Sequence, residues 1–197
     1  MNIRMTKYVL LIFFIMAYAS ATAQFTVNVQ WQSVKPGYIG DSIYYDADRK
    51  LTWADFKGKP DAASPAAAIT ESGFGYRMAM QSYNNRTSIN ITVYCYFNKN
   101  KSWVKRGMKN AYALLHEQHH YDITYINTCL FIQKLSTVKL TKSNFNSVVE
   151  KIYDQCLTAL NKMQDDYDGE TSNGRIEAVQ MFWNKKIDAQ LATLTTN

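Results

Sequence analysis

All three histidines of this 197-residue chain fall within five positions, His116-Glu117-Gln118-His119-His120. Residues i and i+4 of an α-helix differ by about 40° in azimuth and lie one turn apart, so on a helix His116 and His120 share a face and can reach one ion. Paired imidazoles at this spacing suit zinc. Glu117 lies about 100° around the helix, beside such an ion, where a carboxylate can take a proton from water. Zinc lowers the pKa of water that it binds from 15.7 to roughly 7, which makes a nucleophile available to a polarised carbonyl at neutral pH. The chemistry implied is amide hydrolysis, with Zn2+ as cofactor, His116 and His120 as ligands and Glu117 as general base. His119 points elsewhere and reads as a surface residue. Asp122, about 200° around the helix from His120, reads as a carboxylate that positions the helix.

A hydrolytic zinc site needs a third protein ligand and an open position. The motif's own helix cannot supply it, so another segment must approach. The stretch Tyr167 to Gly174 reads as a polar loop between helices, with carboxylates at Asp168 and Glu170. Asp168 is the first choice for third ligand, and Glu170 the second for its reach. Asn173, a neutral amide, is a poor zinc donor. Glu150 and Asp154 lie off an apolar stripe and read as solvated.

These residues need elements to hold them. The first 23 residues have a basic start at Arg4 and Lys7, an apolar run from Tyr8 to Ala19 and a small-x-small close at Ala21-Thr22-Ala23, the pattern of a secretory signal peptide. The apolar run is too short for the roughly 20 residues that span a bilayer. Removing 23 residues from 197 leaves a domain of 174, expected to be secreted or periplasmic and to have no membrane partner afterwards. Within residues 24–197, read as one domain, Phe25, Val27 and Val29 alternate before turns at Pro36-Gly37 and Gly40-Asp41. Phe74 to Met80 and Ile89 to Phe97 alternate too, with Tyr83 to Thr87 between them as a hairpin loop, which predicts an antiparallel pair. From Met108 to about Leu135 the period becomes helical, with Leu114 and Leu115 flanking the histidine motif as in a buried helix. A second helix starts near Thr141 or Ser143 and ends at the 165–174 loop. A third, from Arg175 to Leu191, turns Val179, Phe182, Trp183 and Ile187 inward. The fold class expected is α+β, a small antiparallel sheet followed by three helices, the first carrying H-E-x-x-H.

Composition narrows the function. The formal charge of +6 falls to +4 when Arg4 and Lys7 leave with the signal, and the remaining cations are scattered, so nucleic acid is not an expected partner. Cys95, Cys129 and Cys156 show no C-x-x-C spacing. They allow a Cys129 to Cys156 bridge or three buried thiols. Trp53 and Phe56 read as core residues.

Four segments taken together, L-T-W-x-D-F-K-G at Leu51 to Gly58, H-E-Q-x-H-Y-D-I at His116 to Ile123, Y-D-x-E-T-x-x-G at Tyr167 to Gly174 and Q-x-x-W at Gln180 to Trp183, resemble the bacterial domain-of-unknown-function family 922. That family is described as predicted secreted zinc-dependent proteases. The resemblance spans most of the mature chain and implies a zincin-like metallopeptidase domain with His116 and His120 as ligands and Glu117 as base. The family's loop reads Y-D-x-E-T-x-H-G, and its histidine is implied to complete the site; this chain has Asn173 there. Two functions follow. One is a zinc metallopeptidase whose sheet edge holds an extended peptide or protein substrate by strand addition. The other is a catalytically degenerate zincin-fold envelope protein with a binding role.

Overall fold

The computed structural model describes residues 24–32 and 40–194. The expected signal segment, 1–23, and the Pro36-Gly37 turn lie outside the described residues. The elements in chain order are β1 (Gln24–Trp31), β2 (Ser42–Tyr44), β3 (Ala68–Ile69), β4 (Ser72–Tyr83), β5 (Arg86–Asn98), β6 (Trp103–Val104), α1 (Ala111–Thr137), α2 (Phe145–Thr171) and α3 (Glu177–Leu194). The architecture is α+β, as expected.

The strand β5 organises the sheet. Its alternate residues Ile89, Ile91, Val93, Cys95 and Phe97 are fully buried under the helices, while the residues between them face outward. β4 runs antiparallel to it along its whole length. They are joined through Asn84 and Asn85, whose φ angles of 44° and 60° give the left-handed pair that a two-residue hairpin turn needs. The other edge of β5 is shared by β2, antiparallel, and β1, parallel from Gln24↔Arg86 to Trp31↔Val93. The sheet expected to be antiparallel is therefore mixed. Alternation at Phe25, Val27 and Val29 specifies which face is buried and carries no strand direction. On the outer face side-chain bonds lock the parallel register, with Asn28 donating to Asn90 at 3.0 Å and Gln30 donating to Thr92 at 3.0 Å. β3 and β6 form a separate antiparallel ribbon.

The helix α1 starts later than expected, where the Asn110 side chain accepts from the Ala113 amide at 2.8 Å. α2 likewise starts at Phe145; Asn144 takes the Thr141 amide, so neither Thr141 nor Ser143 caps it. More consequential is its end. The stretch expected to be a polar loop is the last part of α2, which runs to Thr171 because buried Cys156, Leu160, Tyr167 and Thr171 continue one stripe past the acidic residues. Gly169 is accommodated inside it, and Ser172, at φ 52°, closes the helix in the left-handed region.

Two expected core residues are on the surface. Phe182 is 62% exposed, since Trp183 and Ile187 already define the buried stripe of α3, and Leu115 is 42% exposed beside the buried His116. Phe56 is buried and Trp53 half-buried, its indole donating to the Asn110 carbonyl at 3.2 Å. All three cysteines are free, which removes the Cys129 to Cys156 bridge, and burial pushes each thiol's pKa up. No helix of the described residues is long and apolar enough to cross a membrane.

Gly58 closes the L-T-W-x-D-F-K-G segment where the chain passes close to the β5–β6 turn. A Cβ there would meet the Asn100 carbonyl oxygen at 2.7 Å and that of Ser102 at 2.9 Å. Gly58→Ala is expected to destabilise by about 1–3 kcal/mol because backbone must shift, whereas Gly169→Ala, with open space around it, is expected to stabilise by about 0.5–1 kcal/mol. Urea unfolding of the two variants checks both signs.

Candidate metal centre

Helical spacing puts His116 and His120 on the face of α1 that meets the end of α2, and Asp168 comes from α2 to join them. His116 Nε2 and His120 Nε2 are 3.1 Å apart, and Asp168 Oδ1 lies 3.1 Å from the first and 3.0 Å from the second. These three residues are the group among the described residues able to hold a metal ion. Tetrahedral ligands at about 2.0–2.2 Å from zinc lie roughly 3.3–3.6 Å from one another, so the triangle is only a few tenths of an ångström tight.

The surroundings fix which atoms face inward. Gln180 Oε1 sits 2.8 Å from His116 Nδ1, and Gln164 Oε1 sits 2.5 Å from His120 Nδ1. Both amides are oriented by their other bonds: Gln164 Nε2 donates to the His120 carbonyl at 2.8 Å, and Gln180 Nε2 donates to Asn184 Oδ1 at 2.7 Å and to the Tyr167 hydroxyl. An amide oxygen only accepts, so both Nδ1 atoms carry the proton and both Nε2 atoms turn a lone pair to the centre. Beyond those two protons, three lone-pair atoms converge with no donor of their own. Such a triangle could hold a cation.

Electrostatics agree. Burial alone would lower the His120 pKa, but hydrogen bonding to Asp168 and the charges of Glu117 and Asp168 push it up to about 9. Burial would raise the Asp168 carboxyl, yet the two imidazoles hold it well below the usual carboxylate range. Without a metal, a proton occupies the place where positive charge is favoured.

Packing fixes the rings. Tyr167 stacks on His116 with centroids 4.7 Å apart and planes at 20°. Gly174 presses on the same ring; a Cβ there would meet His116 Nδ1 at 3.2 Å, and its φ of 77° already favours glycine. Ser172, Asn173 and Gly174 are three consecutive left-handed residues, which costs about 1–2 kcal/mol for each non-glycine. The Tyr112 hydroxyl donates to the Gly174 carbonyl at 2.6 Å and ties this turn to α1.

Glu117 is 5% exposed and stays out of the triangle. Its Oε2 accepts from the Thr70 hydroxyl at 2.7 Å, just beyond β3. A cavity of about 380 Å³ opens over it, walled by the extended segment Ala66 to Ser72 on one side and by α1, α2 and the 173–175 turn on the other. Asp168 thus joins the two histidines from a helix, where a loop was expected. Glu170 is turned away, accepting from the Trp183 indole at 2.7 Å. Asn173 lines the cleft and is no part of the triangle.

His119 is not a surface residue. It is 2% exposed, faces α3 with Nε2 3.7 Å from Asp188, and its Nδ1 has no partner among the described residues. Burial lowers its pKa. Asp122 behaves as expected, on the back of α1, where Tyr45 donates to it at 2.8 Å and Gln118 at 2.9 Å. Gln118 also accepts the Leu51 amide at 2.7 Å, so the L-T-W-x-D-F-K-G segment docks on the reverse side of the histidine helix. Sequence reasoning missed Gln164, Gln180, Thr70 and Tyr112. Two of them had a signal: Gln164 lies one turn before Asp168, and Gln180 opens Q-x-x-W.

No family model, no curated protein and no solved structure matches the chain, so the family resemblance rests on its four motifs.

Removing the acceptor behind an imidazole frees its tautomer. Gln164→Leu is expected to lower the affinity of the triangle for a metal ion by about 10–100-fold and to shift His120 away from the Nδ1–H form. Competition with a chromophoric chelator and 15N NMR of the histidine rings measure the two effects; unchanged values would remove Gln164 from the site.

Proposed function

We propose that this chain is a zinc-dependent peptidase of zincin type, exported from the cytoplasm and acting on extended peptide or protein segments. The convergence of His116 Nε2, His120 Nε2 and Asp168 Oδ1 within 3.1 Å, each imidazole backed by a glutamine oxygen, carries this reading. Two neutral imidazoles and one carboxylate are a zinc donor set that leaves a fourth position open. Bound there, zinc would supply Lewis acidity toward a carbonyl oxygen and toward water.

The chain's own residues supply the rest. Thr70 occupies Oε2 of Glu117 and leaves Oε1 free to accept a proton from water and to return it to a leaving amine. The Thr70 hydroxyl is also 3.1 Å from the Glu117 carbonyl oxygen, so one side chain fixes both the carboxylate and its backbone. Segment 66–72 is paired on one side, through β3 with β6, and lines the cleft on the other. Extended backbone in that position can align a peptide by strand addition, and Ala66, Ala67 and Ala68 leave room for its side chains. The degenerate binding-protein reading drew its force from Asn173 at the expected histidine position; with Asp168 in the triangle, Asn173 is not needed as a ligand.

About one zinc per chain is expected by metal analysis, lost in the His116→Ala, His120→Ala double variant and weakened in Asp168→Ala. Stoichiometric zinc in the double variant would refute the assignment. Glu117→Gln should keep the metal and lose about 10²–10⁴ in turnover, with Thr70→Val between it and the parent. Equal turnover by the parent and Glu117→Gln would take Glu117 out of the reaction.

A further inference from the structure

We infer that the Arg175 guanidinium is a carboxylate-binding subsite at the end of the cleft beside His116, taking the C-terminal carboxylate or an acidic side chain of a bound peptide. The inference rests on the reading of this cleft as a peptide site. Among the residues lining the cavity Arg175 is the one Lys or Arg, against the carboxylates of Glu71, Glu117 and Asp168. It forms no ion pair among the described residues.

Its place is set by the site itself. Arg175 follows Gly174, which packs on the His116 ring and is tied to Tyr112, one turn before His116 on α1. The left-handed run of Ser172, Asn173 and Gly174 turns the Ser172 carbonyl back, and Arg175 Nε donates to it at 2.9 Å. That bond uses one donor and leaves the two terminal nitrogens as a fork, the geometry that matches a carboxylate bidentately. Asn173 and Gly174 line the cavity with it. A purely structural role fits poorly. The residue is exposed, and it stands two positions before Glu177, the first residue of α3, where a positive charge opposes the helix dipole.

The test titrates the purified chain, metal-free and with one equivalent of zinc, with four capped tripeptides: N-acetyl-Ala-Ala-Ala as free acid and as amide, and the amides of N-acetyl-Ala-Asp-Ala and N-acetyl-Ala-Asn-Ala. NMR titration gives each dissociation constant. In the metal-free chain one acid is expected to bind about 10–100-fold more tightly than its neutral counterpart, in line with a charge-assisted pair. The better acid, terminal or side-chain, identifies the source of the carboxylate. That preference should vanish in Arg175→Gln and persist in part in Arg175→Lys, with both variants remaining folded by circular dichroism. Equal affinity of acid and neutral forms in the parent, absence of binding included, overturns the inference, as does a preference that survives Arg175→Gln. Failure to bind zinc would overturn the peptidase reading by a separate measurement, while the metal-free preference still decides the role of Arg175.

Discussion

Lone pairs repel, and this protein forces three of them together. His116, His120 and Asp168 place two nitrogens and one oxygen within 3.1 Å, an arrangement stable only with positive charge among them. Much of the surrounding structure follows from making that convergence possible. α2 must reach α1 with its final turns still helical, because Asp168 is aimed from a helix. Gly174 must lack a side chain, because the turn after α2 passes against the His116 ring. Tyr167 and the two glutamines then leave each imidazole a single orientation and a single tautomer.

α1 carries opposite duties on its two sides. The front opens on the cleft; the back buries Gln118, Tyr121 and Asp122 against the segment from Ile43 to Leu51. Burying so many polar groups on one helix costs free energy unless each finds a partner. Tyr121 donates to the Ile43 carbonyl at 2.7 Å, Gln118 takes the Leu51 amide and gives to Asp122, and Asp122 takes the Tyr45 hydroxyl as well. The polar pattern between His116 and Asp122 is therefore a record of two interfaces. The back one holds the helix while the front one lines the cleft. His119 Nδ1 is the exception on this helix, buried without a partner among the described residues.

The motif-bearing helix, the β4–β5 hairpin and the number of helices were legible because each depends on local periodicity and turn chemistry. Asp168 was legible as a residue, since chemistry limited the choice of donor, but its helical setting was not: consecutive acids followed by a glycine look like a loop until buried Tyr167 and Thr171 extend the stripe. The direction of β1 was hidden because alternation is the same read either way. Phe182 and Leu115 were misplaced because adjacent apolar residues on a helix compete for one buried stripe, and tertiary packing chooses Trp183 in one case and His116 in the other. The roles of Gln164 and Gln180 depend on contacts spanning 44 and 64 residues, which no local pattern contains.

The parallel pairing of β1 sets an order of events. Gln24 aligns with Arg86, so the first strand of the domain waits for a partner 62 residues later in the chain. A hairpin such as β4–β5 closes locally and early, whereas β1 has to be threaded onto an edge that exists only after that hairpin has formed. Of the strands described, β1 is made first and fastened late. In the interval its alternating Phe25, Val27 and Val29 form an unpaired apolar edge, the kind that invites pairing with another chain.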